Sequence, residues 1–376
     1  MFKHKINRHF FLILSLIPCA LIACNDEANS NRENEVLTID ANDMAGLEAG
    51  TEIIATAGDE IEMAGNEIEM AGIDMGDTEY VSPSEWIDME CLDGQFSESI
   101  NDHDLDIMDL FENYNPDLAP DFIYQILARR YPFGEELVRT GRMGQIGDCL
   151  DIFLRDRSNP EAVIRQVSTI VHECGHFADI DAGMFRNNVY LINDGLTFSC
   201  QGGDAIGRGD GKTFARSLIN RDEYALEACR RGPDCDFYRS VYLDGDPDNS
   251  DFEGGDQGYN SVLEETAQYI NSIAVGYAFH DYYSGSVSER DGILTFLWYI
   301  TRYLKMARED YPEAYEFIST DPCWRELLLT LWGRAWLYLE LTEGFPQLGI
   351  NDEAIQSRIN ADLVGEIDRI RNLECP

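Results

Sequence analysis

One short stretch constrains this chain more than any other: STIVHECGHFADID, residues 168–181, which holds two of the chain's six histidines. Because an α-helix makes one turn every 3.6 residues, His172 and His176 would lie on one helix face, one above the other. Glu173 would lie about 100° round the axis from His172. Two imidazoles on one face can bind a single ion, and a carboxylate at that offset can reach a water on the ion. The stretch therefore predicts a helix that carries part of a metal site.

The residues before this stretch predict where the helix begins. Ser158 and Asn159 are of the types that cap a helix, and Pro160 suits its first turn. Glu161 complements the positive N-terminal end of the helix. The apolar residues that follow give the helix a wide face to bury, namely Val163, Val167, Ile170, Val171 and Phe177. A core helix with two incidental histidines is the alternative to a metal site.

A third ligand has to be sought elsewhere, because a catalytic zinc ion takes three protein ligands and keeps a fourth position for water. Beyond the N-terminal segment, the other histidines are His103 and His280, and neither lies in a ligand motif. The segment YNSVLEETAQYINS, residues 259–272, follows a loop, has the pattern of a helix and presents Glu264 and Glu265. Either glutamate could complete a site of two histidines and one carboxylate.

The segments HECGHFADIDAG and YNSVLEETAQY resemble the two metal-binding helices of gluzincin metallopeptidases, and the first is similar to that of the anthrax lethal factor-like group. In gluzincins a small residue stands three positions after the ligand glutamate, and an aromatic residue often follows. Glu264 has Ala267 and Tyr269 at these places. The resemblance therefore implies Glu264 as the third ligand, with Glu265 as the alternative.

The resemblance implies a zinc-dependent peptidase. His172, His176 and Glu264 would hold zinc, and a zinc-activated water would attack a peptide or protein substrate with Glu173 as general base. The alternative is a zincin-fold lipoprotein that serves in binding or adhesion and has no catalytic activity. A protein that only bound zinc would not need Glu173, so the presence of this residue favours the enzyme.

Two residues are candidates for the hydrogen-bond donor that would stabilise the oxyanion of the reaction. Lethal factor-like enzymes carry a tyrosine shortly before the ligand glutamate, and Tyr259 stands near that place. His280 is the second candidate. The alternatives are a loop anchor for Tyr259 and a packed aromatic environment for His280, which lies in AVGYAFHDYY.

The expected fold is α+β and zincin-like, mainly helical, with a small sheet beside the active-site helix and a helical C-terminal lobe. The segment GDCLDIFLR, residues 147–155, is the predicted strand of that sheet. Long apolar segments at 292–310 and 323–343 are predicted to be core helices, because charged residues interrupt them too often for a bilayer. Residues 352–373 have the pattern of one amphipathic helix.

The N-terminus predicts export. Lys3, Lys5 and Arg8 precede an apolar run, FFLILSLIPCALIA, of the length of a secretory signal. The run ends in LIAC, which resembles the lipobox of bacterial lipoproteins, so residues 1–23 would be removed and Cys24 acylated. The protein would then be lipid-anchored to a membrane of the bacterial cell envelope, facing the periplasm or the cell surface. An ordinary secretory signal is the alternative.

Residues 24–82 are predicted to be an acidic, low-complexity tether that precedes a metallopeptidase domain at 83–376. Sixteen acidic residues and one basic residue lie between positions 25 and 82, where AGDEIEM recurs imperfectly. Like charges and repeated AG pairs oppose a stable helix, so an extended chain is expected. A calcium- or partner-binding tail is the alternative. The formal net charge of −42 argues against nucleic acid as a partner.

The cysteine count predicts disulfides. Of ten cysteines, Cys19 leaves with the signal and Cys24 is the lipidation site, so eight remain. Eight cysteines can pair in 105 ways, and only the local pair Cys229–Cys235 is predicted. Cys174 is expected in a structural disulfide, with Cys200 suggested as its partner, rather than as a metal ligand or nucleophile.

The acidic loop LDGDPDNSDFEGGDQG places Asp244, Asp246 and Asp248 at the spacing of an EF-hand calcium loop. Asn249 and Gly255 stand where that pattern requires glycine and glutamate. A solvated acidic loop is therefore favoured, with a Ca²⁺ site as the alternative.

Overall fold

The computed structural model of the protein describes residues 86–144, 147–184, 188–200, 218–220, 223–224, 237–243, 245 and 258–375. The chain divides into two units, and all described residues belong to the unit that includes residues 78–376. Residues 1–82, which include the predicted signal, the predicted lipidation site Cys24 and the predicted tether, lie outside the described residues. The predicted pair Cys229–Cys235 and nearly all of the candidate calcium loop at 244–255 lie outside them as well.

The described part of the chain is mainly helical, with one β-hairpin. Its elements are α1 (Leu92–Gln95), α2 (Met108–Glu112), α3 (Ala119–Arg130), α4 (Pro132–Met143), α5 (Cys149–Phe153), α6 (Pro160–Ala182), β1 (Asn188–Asn193), β2 (Leu196–Cys200), α7 (Phe237–Tyr242), α8 (Tyr259–Phe279), α9 (Glu289–Asp310), α10 (Pro312–Thr320), α11 (Pro322–Leu341), α12 (Asp352–Gln356) and α13 (Ala361–Glu374). Single turns of 3₁₀ helix lie at Pro116–Leu118, His280–Tyr282 and Pro346–Leu348.

The histidine-bearing helix α6 begins as the sequence predicts. The side-chain oxygen of Asn159 accepts a hydrogen bond of 2.8 Å from the backbone N–H of Ala162, and Pro160 occupies the first turn. The helix ends at Ala182, and the backbone N–H of Gly183 donates to the carbonyl of Asp179. Its apolar face is fully buried, so local capping and burial both stabilise the helix.

The small sheet consists of β1 and β2, which pair antiparallel with Tyr190 opposite Phe198. Asp194 and Gly195 form the connecting turn, where Gly195 has a φ of +86° that a residue with a side chain rarely adopts. Strand β1 packs against α6 and α8. The prediction of a mainly helical α+β chain with a small sheet beside the histidine helix is therefore confirmed at this coarse level.

The predicted strand at 147–155 is wrong, because residues Cys149–Phe153 form α5. The carboxylate of Asp148 accepts a 3.0 Å hydrogen bond from the backbone N–H of Leu150 and so caps a helix there. A local side-chain cap thus overrides the β-propensity of the apolar residues.

The two long apolar segments are core helices, as predicted. Helix α9 packs against α8, and α11 packs against α8 and α9. Most of their residues are buried, including Trp324, Trp332 and Arg334. Among the described residues, each helix is either too short or too polar to cross a bilayer.

The predicted single helix at 352–373 is instead two helices, α12 and α13. The side chain of Asn360 accepts a 3.1 Å hydrogen bond from the backbone N–H of Leu363 and caps a new helix. The apolar period continues across the break, which is why the pattern alone predicts one helix.

Three disulfides lie among the described residues: Cys91–Cys375, Cys149–Cys174 and Cys200–Cys323. Cys174 is structural, as expected, but the suggested partner Cys200 is wrong. Cys174 instead fastens the histidine helix α6 to α5, and Cys200 fastens β2 to α11.

Candidate metal centre

Helices α6 and α8 pack side by side and run antiparallel. His172 contacts Ser272, whereas His176, further along α6, contacts Glu264 near the start of α8. The two helices approach closely at Gly175, because a Cβ atom there would lie 1.8 Å from the side-chain oxygen of Gln268. The glycine inside HECGH therefore sets the distance between the histidine helix and the glutamate helix.

Three potential ligand atoms converge between these helices. The Nε2 atoms of His172 and His176 lie 3.6 and 3.7 Å from Oε2 of Glu265. All three residues are buried, and their ligand atoms lie within 4.8 Å of one another. A tetrahedral zinc ion with bonds of 2.0–2.2 Å would separate its ligands by about 3.3–3.6 Å, and both histidine-to-Glu265 distances lie close to that range. The three side chains can therefore hold a metal ion.

The other ring nitrogens are already occupied. Nδ1 of His172 lies 3.1 Å from Oγ of Ser272. Nδ1 of His176 lies 2.7 Å from both carboxylate oxygens of Glu264 and donates its hydrogen to them. In the neutral ring of His176 this leaves Nε2 with its lone pair directed at the ligand cluster, the arrangement that orients metal-bound histidines in proteins. The hydroxyl of Ser272 can accept from Nδ1 of His172 and so support the same tautomer.

The gluzincin resemblance implies Glu264 as the third ligand, but the structure groups the alternative, Glu265, with the histidines. Successive residues on a helix differ by about 100° around the axis, so the two carboxylates reach different sides of His176. Glu265 faces Nε2, and Glu264 lies behind the ring at Nδ1.

The ionisable groups around the ligand cluster shift one another's pKa values. Burial raises the pKa of Glu173 above its ordinary value, and the attraction of His172 and His176 lowers it by less. Burial alone would lower the pKa of His176, but Glu264 and Glu265 outweigh it and raise the pKa to about 10. Glu173 is thus a buried carboxylate with increased basicity next to two histidines that could hold a metal ion.

Asp179, near the end of α6, lies in the hydrogen-bond network behind the ligand cluster. Its Oδ1 accepts a 2.8 Å hydrogen bond from the backbone N–H of Leu191, and its Oδ2 accepts one of 3.0 Å from Gln268. Burial and the charge of Glu264 raise its pKa well above the ordinary value. Asp179 therefore joins α6 to β1 and α8. None of its described hydrogen bonds is with a histidine.

Two tyrosines lie in a row next to the ligand cluster: Tyr269 contacts His172, and Tyr242 contacts Tyr269. The sequence pointed to Tyr269 only as part of the gluzincin pattern and did not point to Tyr242. The ring of Tyr269 meets the ring of His172 edge to face, with centroids 4.8 Å apart, and its hydroxyl lies 2.8 Å from that of Tyr242. Gly292 makes room for Tyr269, since a Cβ atom there would lie 2.3 Å from the ring. Tyr269 follows Glu265 by four residues, a helical spacing that could have indicated it. No sequence signal links Tyr242 to the cluster.

Tyr259, the first candidate oxyanion donor, lies in the aromatic core. Its ring packs against Tyr303 and Trp324, with centroids 6.0 Å away in each case. Its hydroxyl is buried and makes no hydrogen bond within the described residues. None of its described contacts is with His172 or His176.

His280, the second candidate, lies far from the cluster. It follows the end of α8, fifteen residues beyond Glu265, which corresponds to about 22 Å along the helix axis. Its Nδ1 lies 3.0 Å from the carbonyl oxygen of Tyr277, and its ring packs against Phe345 and His103. This separation is incompatible with the predicted role at the oxyanion, and the packed aromatic alternative is the one observed.

A second group of potential ligands, Asp102, His103 and Asp104, lies in an exposed loop. Nδ1 of His103 is 3.0 Å from the carboxylate of Asp104. Its two aspartates are exposed, and exposed acidic groups are common without a metal ion, so this group by itself does not indicate a site.

A comparison of the chain with protein-family models, with curated proteins and with solved structures found no match.

Proposed function

We propose that the protein is a zincin-like, zinc-dependent peptidase whose metal ligands are His172, His176 and Glu265. The observation that carries the proposal is the convergence of two Nε2 atoms and one carboxylate oxygen, with both Nδ1 atoms held from behind. Two imidazoles and a carboxylate form a donor set that catalytic zinc sites use. The gluzincin-like pattern of the two helices agrees with this choice of metal.

Zinc, when bound, would supply Lewis acidity, which acidifies water and polarises the carbonyl of a peptide bond. Glu173 would act as the general base that takes a proton from the attacking water and passes it to the departing amine. The raised pKa of Glu173 suits both halves of that task, because a carboxylate must be basic enough to accept the proton and acidic enough to return it. Ser272 and Glu264 would keep the histidine rings oriented throughout.

The test is the substitution Glu173→Gln in the zinc-loaded protein. The amide keeps the shape of the side chain but cannot accept the proton, so hydrolysis of casein or a peptide library should fall about 10²- to 10⁴-fold. Zinc content and the thermal melt should match wild type. The matched control is Glu161→Gln, the same change at an exposed site in the first turn of α6, which should retain activity.

Full activity in zinc-loaded Glu173→Gln would refute the role of Glu173. If zinc-loaded wild-type protein cleaves nothing in a broad library, the proposed peptidase is refuted, and the binding or adhesion lipoprotein becomes the favoured function.

A further inference from the structure

The side chain of Gln268 lies at the centre of the hydrogen-bond network behind the ligand cluster of His172, His176 and Glu265. Its Nε2 lies 3.0 Å from Oδ2 of Asp179 and 3.3 Å from Oε1 of Glu264, so both amide hydrogens face carboxylates. Its Oε1 accepts a hydrogen bond of 3.0 Å from the amide of Asn271. Gln268 is fully buried, and these are its hydrogen bonds within the described residues.

Arg334 and Tyr131, which do not contact Gln268 in the described hydrogen bonds, determine which group donates in each of these bonds. A guanidinium can only donate, and Nη1 of Arg334 lies 2.9 Å from Oδ1 of Asn271. The hydroxyl of Tyr131 accepts from Nη2 of Arg334 at 3.0 Å and lies 2.9 Å from the same Oδ1, to which it donates. The amide nitrogen of Asn271 must therefore face Gln268, and the amide nitrogen of Gln268 must face Glu264.

Arg334 is itself held in one position. It is completely buried, and its Nε lies 2.8 Å from the carboxylate of Glu98. A buried guanidinium that makes an ion pair cannot turn over without leaving charges unpaired. Donor and acceptor are thus fixed in each bond from Arg334 through Asn271 and Gln268. The Glu264 carboxylate at the end accepts from Gln268 on one side and from Nδ1 of His176 on the other.

The position of Gln268 is also set by shape. Its side-chain oxygen occupies the space that a Cβ atom of residue 175 would fill. Gly175 lies between the two histidines of HECGH, so the notch that receives Gln268 is part of the motif itself.

We propose that Gln268 is the positioning residue of the metal centre, oriented by Asn271 and Arg334. It holds the Glu264 carboxylate on Nδ1 of His176, and it thereby sets the affinity of the cluster for metal. This inference rests on the part of the proposed function in which His172, His176 and Glu265 bind a metal ion, and not on the peptidase reaction.

The experiment measures zinc affinity of the full chain by competition with a chromophoric chelator, starting from metal-free protein. Gln268→Glu keeps the shape but has no hydrogens to donate, so zinc affinity should fall at least tenfold, the range seen for second-layer partners. Gln125→Glu, the same change at an exposed position of α3, is the matched control and should stay within twofold of wild type.

Two further variants separate positioning from simple stabilisation. Asn271→Asp still accepts from Arg334 and Tyr131 but cannot donate to Gln268, so it should weaken zinc binding although it contacts no proposed ligand. In the double variant Asp179→Asn with Gln268→Glu, the new amide can donate to the new carboxylate, which restores one bond with reversed direction. Its thermal stability should recover relative to Gln268→Glu, while its zinc affinity should stay low.

Equal zinc affinity in wild type, Gln268→Glu and Asn271→Asp would overturn the inference. Joint recovery of stability and zinc affinity in the double variant would also overturn it, because a purely structural role predicts that result. Wild-type protein that takes up no zinc would refute both this inference and the proposed function. Wild-type protein that binds zinc but cleaves nothing would refute only the peptidase.

Discussion

At the scale of single residues, neighbouring glutamates on one helix contact different nitrogens of the histidines. Glu265 lies beside the Nε2 atoms of both histidines, and Glu264 lies 2.7 Å from Nδ1 of His176. A ligand contributes its charge directly to a metal ion, whereas a carboxylate behind the histidine raises the basicity of the ring and fixes its orientation. Removing either carboxylate should therefore weaken metal binding, but to different degrees.

The substitution Glu265→Ala should leave the purified protein without zinc, because only two ligands remain. Glu264→Gln should retain the metal with an affinity about 10- to 100-fold lower, because the ring loses its charged partner. Metal content by mass spectrometry, together with chelator competition, measures both effects. A zinc-free Glu264→Gln protein beside a zinc-loaded Glu265→Ala protein would reverse the assignment.

The pKa of His176 predicts that metal binding releases a proton. In the metal-free protein this pKa is raised to about 10, so the ring is protonated at pH 7 and must lose its proton before Nε2 can bind an ion. Zinc affinity should therefore fall about tenfold for each unit of decreasing pH in the neutral range. Calorimetry in two buffers of different ionisation enthalpy gives the number of protons released.

The same calorimetry on Glu264→Gln supplies the control. Without the carboxylate that raises the pKa of His176, fewer protons should be released near pH 8. A wild-type protein that binds zinc without releasing a proton would contradict the assignment of His176.

At the scale of elements, α6 is tightly packed on two sides at the histidine motif. On one side Gly175 receives Gln268 from α8, and on the other Gly141 of α4 meets the backbone of Cys174. A Cβ atom at Gly141 would lie 2.3 Å from the carbonyl oxygen of Cys174. Backbone atoms cannot move aside as a flexible side chain can, so the spacing of α4, α6 and α8 depends on small residues.

The substitution Gly141→Ala should lower the free energy of unfolding by about 1–3 kcal/mol, because the added methyl group overpacks a backbone contact. Urea denaturation of the metal-free protein measures this change. Gly365→Ala in α13 is the matched control, because nothing lies within 4 Å of the position of its Cβ. There alanine should leave stability unchanged or increase it by up to about 1 kcal/mol through its higher helix propensity. A Gly141→Ala protein as stable as wild type would show that α4 and α6 can separate at no cost.

At the scale of the whole molecule, the ends of the described chain are joined. The disulfide Cys91–Cys375 links residues 284 positions apart. Beside it, Arg371 makes a buried ion pair of 2.6 Å with Asp93 and donates to the backbone oxygen of Trp86. The C-terminal helix α13 is therefore fastened to the first described segment by covalent and ionic contacts.

Replacing both Cys91 and Cys375 by alanine should destabilise the protein by up to about 5 kcal/mol, because the disulfide closes a very long loop and restricts the unfolded chain. Denaturation in urea measures the change, and the double replacement avoids a free thiol. An unaltered midpoint would show that the ion pair of Arg371 alone holds this junction.

The LIAC junction predicts membrane attachment of the intact chain. Cys24→Ala should move the protein from the membrane fraction to the soluble fraction and abolish incorporation of labelled palmitate, because acyl chains supply the anchor. Cys19→Ala, within the predicted signal, is the control and should keep the label. Labelling that persists in Cys24→Ala would refute the assignment.

The sequence by itself determined the features that depend on near neighbours. The start of α6 at Asn159 and Pro160, the stacking of His172 and His176, and the helical course of 259–279 all follow from capping and spacing within a few residues. Where two local signals competed, the prediction failed: Asp148 caps a helix in a segment that has the composition of a strand.

Only the tertiary structure decided which groups meet across the chain. The choice of Glu265 over Glu264 depends on how α8 is rotated against α6, and a rotation of about 100° would exchange the two carboxylates. The partners of Cys174 and Cys200, and the contact of Tyr242 with Tyr269, depend equally on packing. Such contacts join residues far apart in sequence, and their distances are set by the shapes of all the side chains between them, which no local pattern records.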